Sequence, residues 1–328
     1  MNSYEYIPPY TITNKTVSLV SNITELLTQI TIQNKETSNL HLRKNNRIRT
    51  IHASLAIENN SLSLEQMTAI INGKRILGNP SEVCEVKNAF DAYNILLQLN
   101  PNSIEDLLKA HKVLMNGLTH EAGVFRSGGV GIFAETQLIH MAPPAENIHF
   151  LIKNLIKWVK NADVHPLIKS CVFHYEFEFI HPFADGNGRM GRMWQTLILY
   201  SWKDIFGWLP IETLIKERQR EYYAALRQAD TTGDSGVFIE FLLTAIYDSL
   251  LELRSTDQVS DQVTDQVKRL LQVMDTNAYS TVQLMELVQI KHKPTFRQNY
   301  LLPALKLDLI KMTVPDKPNS SKQKYIKI

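Results

Sequence analysis

HPFADGNGRMGR, residues 181–192, is the stretch on which the reading of this chain turns. An apolar run (Val172, Phe173, Phe177, Phe179, Ile180) leads into His181. A turn holding Asp185, Gly186 and Gly188 follows, and Arg189 and Arg192 then open a second apolar run. A glycine turn feeding a helix start offers backbone N–H groups and the positive end of a helix dipole, a ready cradle for an anion. Asp185 beside it is a hard oxygen ligand of the kind Mg²⁺ prefers. Arg189 and Arg192, three apart on a first helical turn, project to one side and can fork onto phosphate oxygens. His181 has the ordinary pKa of a group that takes a proton from a hydroxyl near neutral pH. A lone glycine turn is more often a plain helix connection, and a lone histidine more often structural. Cradle, metal ligand, guanidiniums and base within twelve residues describe a nucleotide-transfer site. The other phosphate signatures do not fit: the lysine of G-x-x-x-x-G-K-[ST] is absent, and no strand-like run leads a G-x-G-x-x-G.

At these positions the sequence resembles the Fic family, whose signature is H-x-F-x-[DE]-G-N-G-R-x-x-R, with His181, Phe183, Asp185, Gly186, Asn187, Gly188, Arg189 and Arg192 all matched. The resemblance implies transfer of AMP from ATP to a Ser, Thr or Tyr hydroxyl of a target protein, or of the chain itself, with release of diphosphate. It implies catalytic roles for His181 (general base), Asp185 (Mg²⁺ ligand), Asn187, Arg189 and Arg192, with Phe183 as a core anchor. The nucleotide would lie along Gly186, Asn187, Gly188, Arg189, Met190, Gly191 and Arg192. Upstream, SLAIEN (Ser54 to Asn59) resembles the family's inhibitory motif [ST]-x-x-x-E-[GN]. A carboxylate there can neutralise a phosphate-binding arginine and fill the space of the terminal phosphate. The resemblance assigns that part to Glu58, with Ser54, acting on Arg192. Taken alone, S-x-x-x-E is an ordinary solvated helix face.

Two further matches extend the resemblance. Residues 121–147 break the helical pattern, and glycines flank short β-prone pieces at 130–133 and 137–140, which predicts a hairpin. Val130, Gly131, Ile132 and Phe133 match the family's flap over the nucleotide, which pairs with a target segment edge to edge. Arg126 and Pro143-Pro144 suit the same pattern. Tyr222 in EYYAAL matches a segment beside the adenine, while Asp230 stands where relatives often carry Asn.

Composition sets bounds. The 328 residues are enough for two or three domains, and 44% apolar with 21% charged residues is ordinary for a soluble globular protein. A formal charge of +2 argues against wholesale nucleic-acid binding. Cys84 and Cys171 sit in helical apolar patterns and read as buried thiols of a reducing compartment. MNSYEYIPPYTITNKT shows no leader pattern, and no run is long enough to cross a bilayer, so no membrane partner and a cytoplasmic location are expected.

The remaining pattern is mostly helical. Pro8-Pro9 makes residues 1–16 an extended arm. Helices are expected at about 17–32 and 47–59, from Ser63 with a Gln66 capping box, from a Ser81 cap to about 99, and at 104–118. Further helices are expected at 148–160, 167–179, 190–202, 212–228 and 236–253. His174 and Glu178, four apart, read as a pair supporting the site, and His111 and His120 as structural. TDQVSDQVTDQV, 256–267, puts Val259, Val263 and Val267 on one stripe, a linker helix or the seam of a homodimer. Helices at 267–274, 281–288 and 293–306, then two strands around 315–320, resemble the winged-helix tail of many Fic proteins. Nine Lys/Arg against two Asp/Glu over 291–328 make DNA a candidate partner there, with protein docking the alternative.

The expected fold class is therefore mainly α: a Fic-type helical core with a β-hairpin flap, plus a C-terminal winged-helix (α+β) domain. The expected domains are 1–100 with the inhibitory helix, 101–254 as catalytic core, and 255–328. ATP and Mg²⁺ are the expected substrate and cofactor. The competing functions are a DNA-binding regulator with a nucleotide-sensing core, and transfer of another nucleotide such as UMP. Removal of AMP with Glu58 orienting water is also open to this family.

Overall fold

The structure, a computed structural model, describes all residues except 1–5, 34–39, 135–136, 263–264, 276, 308, 316, 319 and 321. It divides into two compact units, Met1–Leu251 and Glu252–Ile328. No described helix is long and apolar enough to cross a membrane.

The first unit is helical: α1 Asn14–Gln33, α2 Leu40–Ile57, α3 Leu64–Ile71, α4 Pro80–Leu96, α5 Ile104–Leu114, α6 Ile148–Asn161, α7 Pro166–Ile180, α8 Asn187–Tyr200, α9 Ile211–Glu217, α10 Gln219–Thr232 and α11 Gly236–Gln262, whose residues from Glu252 on belong to the second unit. An antiparallel hairpin, β1 Gly131–Ala134 and β2 Gln137–Met141, lies between α5 and α6, with a register irregularity at Ile132/Phe133.

The centre is the pair α7 and α8, packed along each other. Both are buried round almost their whole circumference, including Phe173, Phe177, Trp194 and Leu197. A helix without a solvated face has to sit in a core, and the near-absence of charge after Arg192 allows it. Gly191 leaves room for α7 side chains. A Cβ there would come within 2.7 Å of Glu178 Oε1 on α7.

The caps follow local chemistry. Ser63 forms the expected capping box with Gln66, and Ser103 accepts from Asp106 N–H. At α4 the cap is Asn79, not Ser81. Pro80 takes the first helical position, where its missing N–H costs nothing. The helix expected over 212–228 is broken at Arg218 into α9 and α10. The arm before α1 is tied down through Thr11 to Asp234 Oδ2 (2.5 Å), Thr13 to Glu240 (2.5 Å) and Ser235 N–H to Pro9 O (3.1 Å). Tyr6 bonds Glu176 of α7.

The second unit runs α12 Asp265–Val273, β3 Tyr279–Ser280, α13 Thr281–Leu287, a helical run over 293–306 with a π-type turn at Arg297–Leu301, β4 Ile310–Met312 and β5 Lys324–Lys327. The strands make one antiparallel sheet in the order β3-β5-β4. Its core holds Val267, Leu270, Leu284, Phe296, Ala304 and Tyr325. The short β3 was not expected from the sequence. The side chains of Val259 and Val263 lie outside the described residues.

Candidate active site

The turn between α7 and α8 is built by side chains that satisfy its backbone. Asn187 accepts from Phe183 N–H (2.9 Å) and donates to Phe183 O (2.8 Å), closing the loop on itself. Phe183 is fully buried and stacks on His111 of α5 at 3.6 Å between ring centres. His111 Nδ1 accepts from Gly123 N–H (2.9 Å), so in the neutral ring the proton is on Nε2, which donates to Asp185 O at 3.0 Å. Burial pushes the His111 pKa down to about 4, keeping that neutral form. Gly186 has φ +84°, and a Cβ there would lie 2.7 Å from Met115 Sδ, so both backbone and space demand glycine.

His181 caps α7 in the left-handed region, φ +50°. Its N–H bonds Phe177 O (2.9 Å), its Nδ1 lies 3.2 Å from Glu178 O, and its own carbonyl accepts from Arg126 Nε (2.7 Å). Across the turn, α8 starts with no side-chain cap. Its first internal bond is Met190 N–H to Gly186 O, which leaves the N–H groups of Asn187, Gly188 and Arg189 ahead of the helical ladder. The structure thus brings the histidine and the anion cradle to the two ends of one short turn.

Arg192 is buried, and its Nε and Nη2 donate to Ser54 Oγ and Ser54 O, each at 3.1 Å. Nη2 also meets Glu58 Oε1 at 2.7 Å. Burial works against the guanidinium charge, but Glu58 and the other neighbouring acidic groups outweigh it, so the Arg192 pKa is raised. Glu58 follows the last residue of α2, and Asn59 turns the chain at φ +67°, a conformation asparagine tolerates and glycine adopts freely. A Cβ on Gly188 would collide with Glu58 Oε1, so the carboxylate stands directly on the cradle. Two residues from beyond the signature hold the end of α2: Lys216 Nζ donates to Ala56 O (2.7 Å) and Gln219 Nε2 to Ile57 O (3.0 Å).

Arg189 Nη2 bonds Asp185 Oδ1 (3.2 Å), and Nη1 lies 3.9 Å from Glu85 Oε1 of α4. Glu85 in turn accepts from Asn60 Nδ2 (2.9 Å), just past Glu58. The Asp185 side chain is 60% exposed. The described residues contain no cluster of three or more metal-ligating side chains. Asp185 Oδ1 accepts from Gly186 N–H (2.6 Å) as well as from Arg189, and a largely exposed carboxylate at a helix start fits Mg²⁺, which keeps several waters and takes further ligands from phosphate.

The hairpin closes at its neck, where Ala142 N–H bonds Val130 O at 3.2 Å. Val130 precedes β1 and Gly131, Ile132 and Phe133 lie in it, while the side chains of 131–141 lie outside those described. Tyr222 is buried, and its hydroxyl lies 3.1 Å from His174 Nε2. Its neighbour Tyr223 is the exposed one, at 39%. The His174–Glu178 pair is looser than expected: Nε2 stands 3.7 Å from Glu178 Oε1, too long for a hydrogen bond, and His174 Nδ1 is taken by Gln195 at 2.6 Å. The sequence reading missed Arg126's bonds, His111, Glu85, Lys216 and Gln219 as parts of the site.

A helical core in which a turn between two buried helices carries a histidine, an uncapped helix start and two arginines, with a hairpin in the same unit, defines the class of fold. Two family descriptions match, Fic/DOC family over residues 101–199 and the C-terminal domain of Fic-like proteins (filamentation induced by cAMP) over 265–326. A solved Fic family protein from Desulfovibrio desulfuricans G20 is 51% identical over 98% of both chains, with a TM-score of 0.75. The chain belongs to the Fic family. Residues 134–508 of Fic-1 from Caenorhabditis elegans share the fold at 24% identity, 75% of this chain and 72% of that one, TM-score 0.62. Among curated proteins, protein adenylyltransferase Fic of Nematostella vectensis is 31% identical over 58% of this chain and 45% of its own length. Protein adenylyltransferase fic-1 of C. elegans is 29% identical over 58% of this chain and 38% of its own. The chain thus spans less than half the length of these two curated relatives.

Proposed function

We propose that this chain is a self-inhibited protein adenylyltransferase that transfers AMP from ATP to a side-chain hydroxyl of a protein. The observation that carries the reading is that His181 and the start of α8 flank one turn, with Arg192 already held by a carboxylate from α2.

In the reaction, the target hydroxyl attacks the α-phosphorus of ATP, the bond to the bridging oxygen breaks, and diphosphate leaves. His181 takes the hydroxyl proton as the new P–O bond forms. The N–H groups at the start of α8, with Arg189 and Arg192, meet the charge spreading over the phosphates, so positioning and electrostatics supply the rate. Asp185 would hold Mg²⁺, which when bound supplies neutralisation of phosphate charge. Glu58 blocks the productive pose by engaging Arg192 and standing on Gly188. Residues 1–100 then serve as the regulatory helices, 101–254 as the catalytic core and 255–328 as an accessory winged helix. The helix–strand–helix–helix–strand–strand order supports that last assignment.

The test is incubation of wild type, Glu58→Gly and His181→Ala with α-labelled ATP, read as label retained on protein. The variant at 58 should label strongly, wild type weakly and the variant at 181 not at all. Equal labelling by all three would end the proposal.

A further inference from the structure

We propose that Arg126 is the positioning residue that fixes His181 and locks it to both feet of the β1–β2 hairpin. The proposal rests on the adenylyl-transfer reading above.

Arg126 is 3% exposed, and among the described residues every acceptor of its guanidinium is a main-chain carbonyl. Nε donates to His181 O (2.7 Å), Nη2 to Ile180 O (3.4 Å) and Pro143 O (2.6 Å), and Nη1 to Gly128 O (2.6 Å). Its own N–H bonds Pro182 O at 3.0 Å. Gly128 lies shortly before β1 and Pro143 shortly after β2. One planar cation therefore joins the residues that open and close the hairpin to the residues that end α7.

The join falls on a backbone that needs holding. His181 is one of three non-glycine residues with positive φ among the described residues. In that conformation its carbonyl cannot continue the α7 ladder, and Arg126 Nε is what it meets instead. Charge-assisted bonds in a fixed fork hold such a geometry far better than one rotating ammonium. Because the same fork reaches Gly128 O and Pro143 O, displacement of the hairpin feet is transmitted to the imidazole's backbone. Buried, oriented donors of this kind make a two-ended strut rather than a surface contact.

The test uses the full chain carrying Glu58→Gly, with Arg126→Lys and Arg126→Gln added singly. Self-labelling by α-labelled ATP gives kcat and the KM for ATP. Titration with a fluorescent ATP analogue counts nucleotide-binding sites, so that rates are expressed per competent site. The expected result is a fall in kcat per site of roughly 10- to 100-fold in both variants, lysine included, with the KM for ATP changed by less than about twofold. A purely structural role would lower the melting temperature and the number of sites but leave the rate per site intact, and that result overturns the proposal. So does a KM for ATP that rises in step with the loss, or failure of both variants to show a cooperative melt. If the Glu58→Gly parent itself carries no label, the transfer reading fails first, which is a different and recognisable outcome.

Discussion

Arg192 and Glu58 meet at 2.7 Å although they lie 134 positions apart in the chain. The guanidinium is 1% exposed and the carboxylate 35%. A buried cation needs a partner, and here α2 supplies it from outside the signature. The same carboxylate stands over Gly188, at the head of α8. One side chain thus both neutralises Arg192 and occupies the space over Gly188.

Glu58→Gly should therefore raise AMP transfer by about tenfold or more, since Arg192 becomes free for phosphate. It should also cost stability by about 1–2 kcal/mol, below the value for a fully buried pair because Glu58 is partly solvated and Ser54 still accepts from Arg192. ATP should restore that loss. Thermal melts with and without ATP should show a larger stabilisation for the variant than for wild type, and equal shifts would mean Glu58 does not compete with the nucleotide.

The brake should weaken without any change to Glu58. Lys216 and Gln219 bond Ala56 O, which also accepts from Asn59 N–H at 3.2 Å, and Ile57 O, both in the last turn of α2 where the helical ladder runs out. A lysine there also suits the negative end of the helix dipole. Lys216→Ala and Gln219→Ala should each raise transfer by a few fold, by letting the last turn fray. Added to Glu58→Gly they should change nothing further. Additive gains in labelling would show that these residues act elsewhere.

What the sequence made legible was what is contiguous. Twelve residues hold the histidine, the turn, the carboxylate and both arginines, and each can be read from its neighbours. SLAIEN was readable only because the loop had been read first. Arg126, Glu85, Lys216 and Gln219 are different: each acts on a main-chain carbonyl or a side chain brought close by packing. Lys216 and Ala56, for instance, are 160 positions apart, and nothing local marks them. His111 looked structural and is, yet what it supports is the signature loop itself. Helix ends slipped for local reasons, as where Asn79-Pro80 outcompeted Ser81 as a start. The break at Arg218 has neither glycine nor proline to announce it.

Glu212 of α9 gives a pH prediction. It is buried behind Arg192, with Oε1 3.4 Å from both Tyr93 OH and Thr196 Oγ1 and Oε2 without a hydrogen-bond partner. Burial pushes its pKa up to about 7 from an ordinary 4.5, with Arg192 pulling the other way. A carboxyl whose folded pKa is raised favours the folded state while protonated, and loses that advantage as pH rises from 4.5 to 7. Glu212→Gln, which stays neutral, should be more stable than wild type at pH 8 by roughly 3 kcal/mol and indistinguishable near pH 4.5. Urea melts at the two pH values decide it, and a gap of the same size at both would assign the effect to packing.

His111 and Phe183 allow ring stacking to be separated from hydrogen bonding beneath the loop. Phe183→Ala removes a fully buried ring and leaves a cavity between α5 and the turn, at a cost of about 3–5 kcal/mol. His111→Phe keeps a ring against Phe183 but strands Gly123 N–H and Asp185 O, a cost of about 1–3 kcal/mol. The two losses should not add, because without Phe183 the turn is already free to turn Asp185 O toward water. In a double-mutant cycle read by urea melts, the combined variant should lose less than the sum of the singles. Binding of a fluorescent ATP analogue should fall further for His111→Phe than its stability loss predicts, because Asp185 O is where the cradle is anchored. If binding is unchanged in His111→Phe protein that remains folded, the imidazole supports the fold and not the loop.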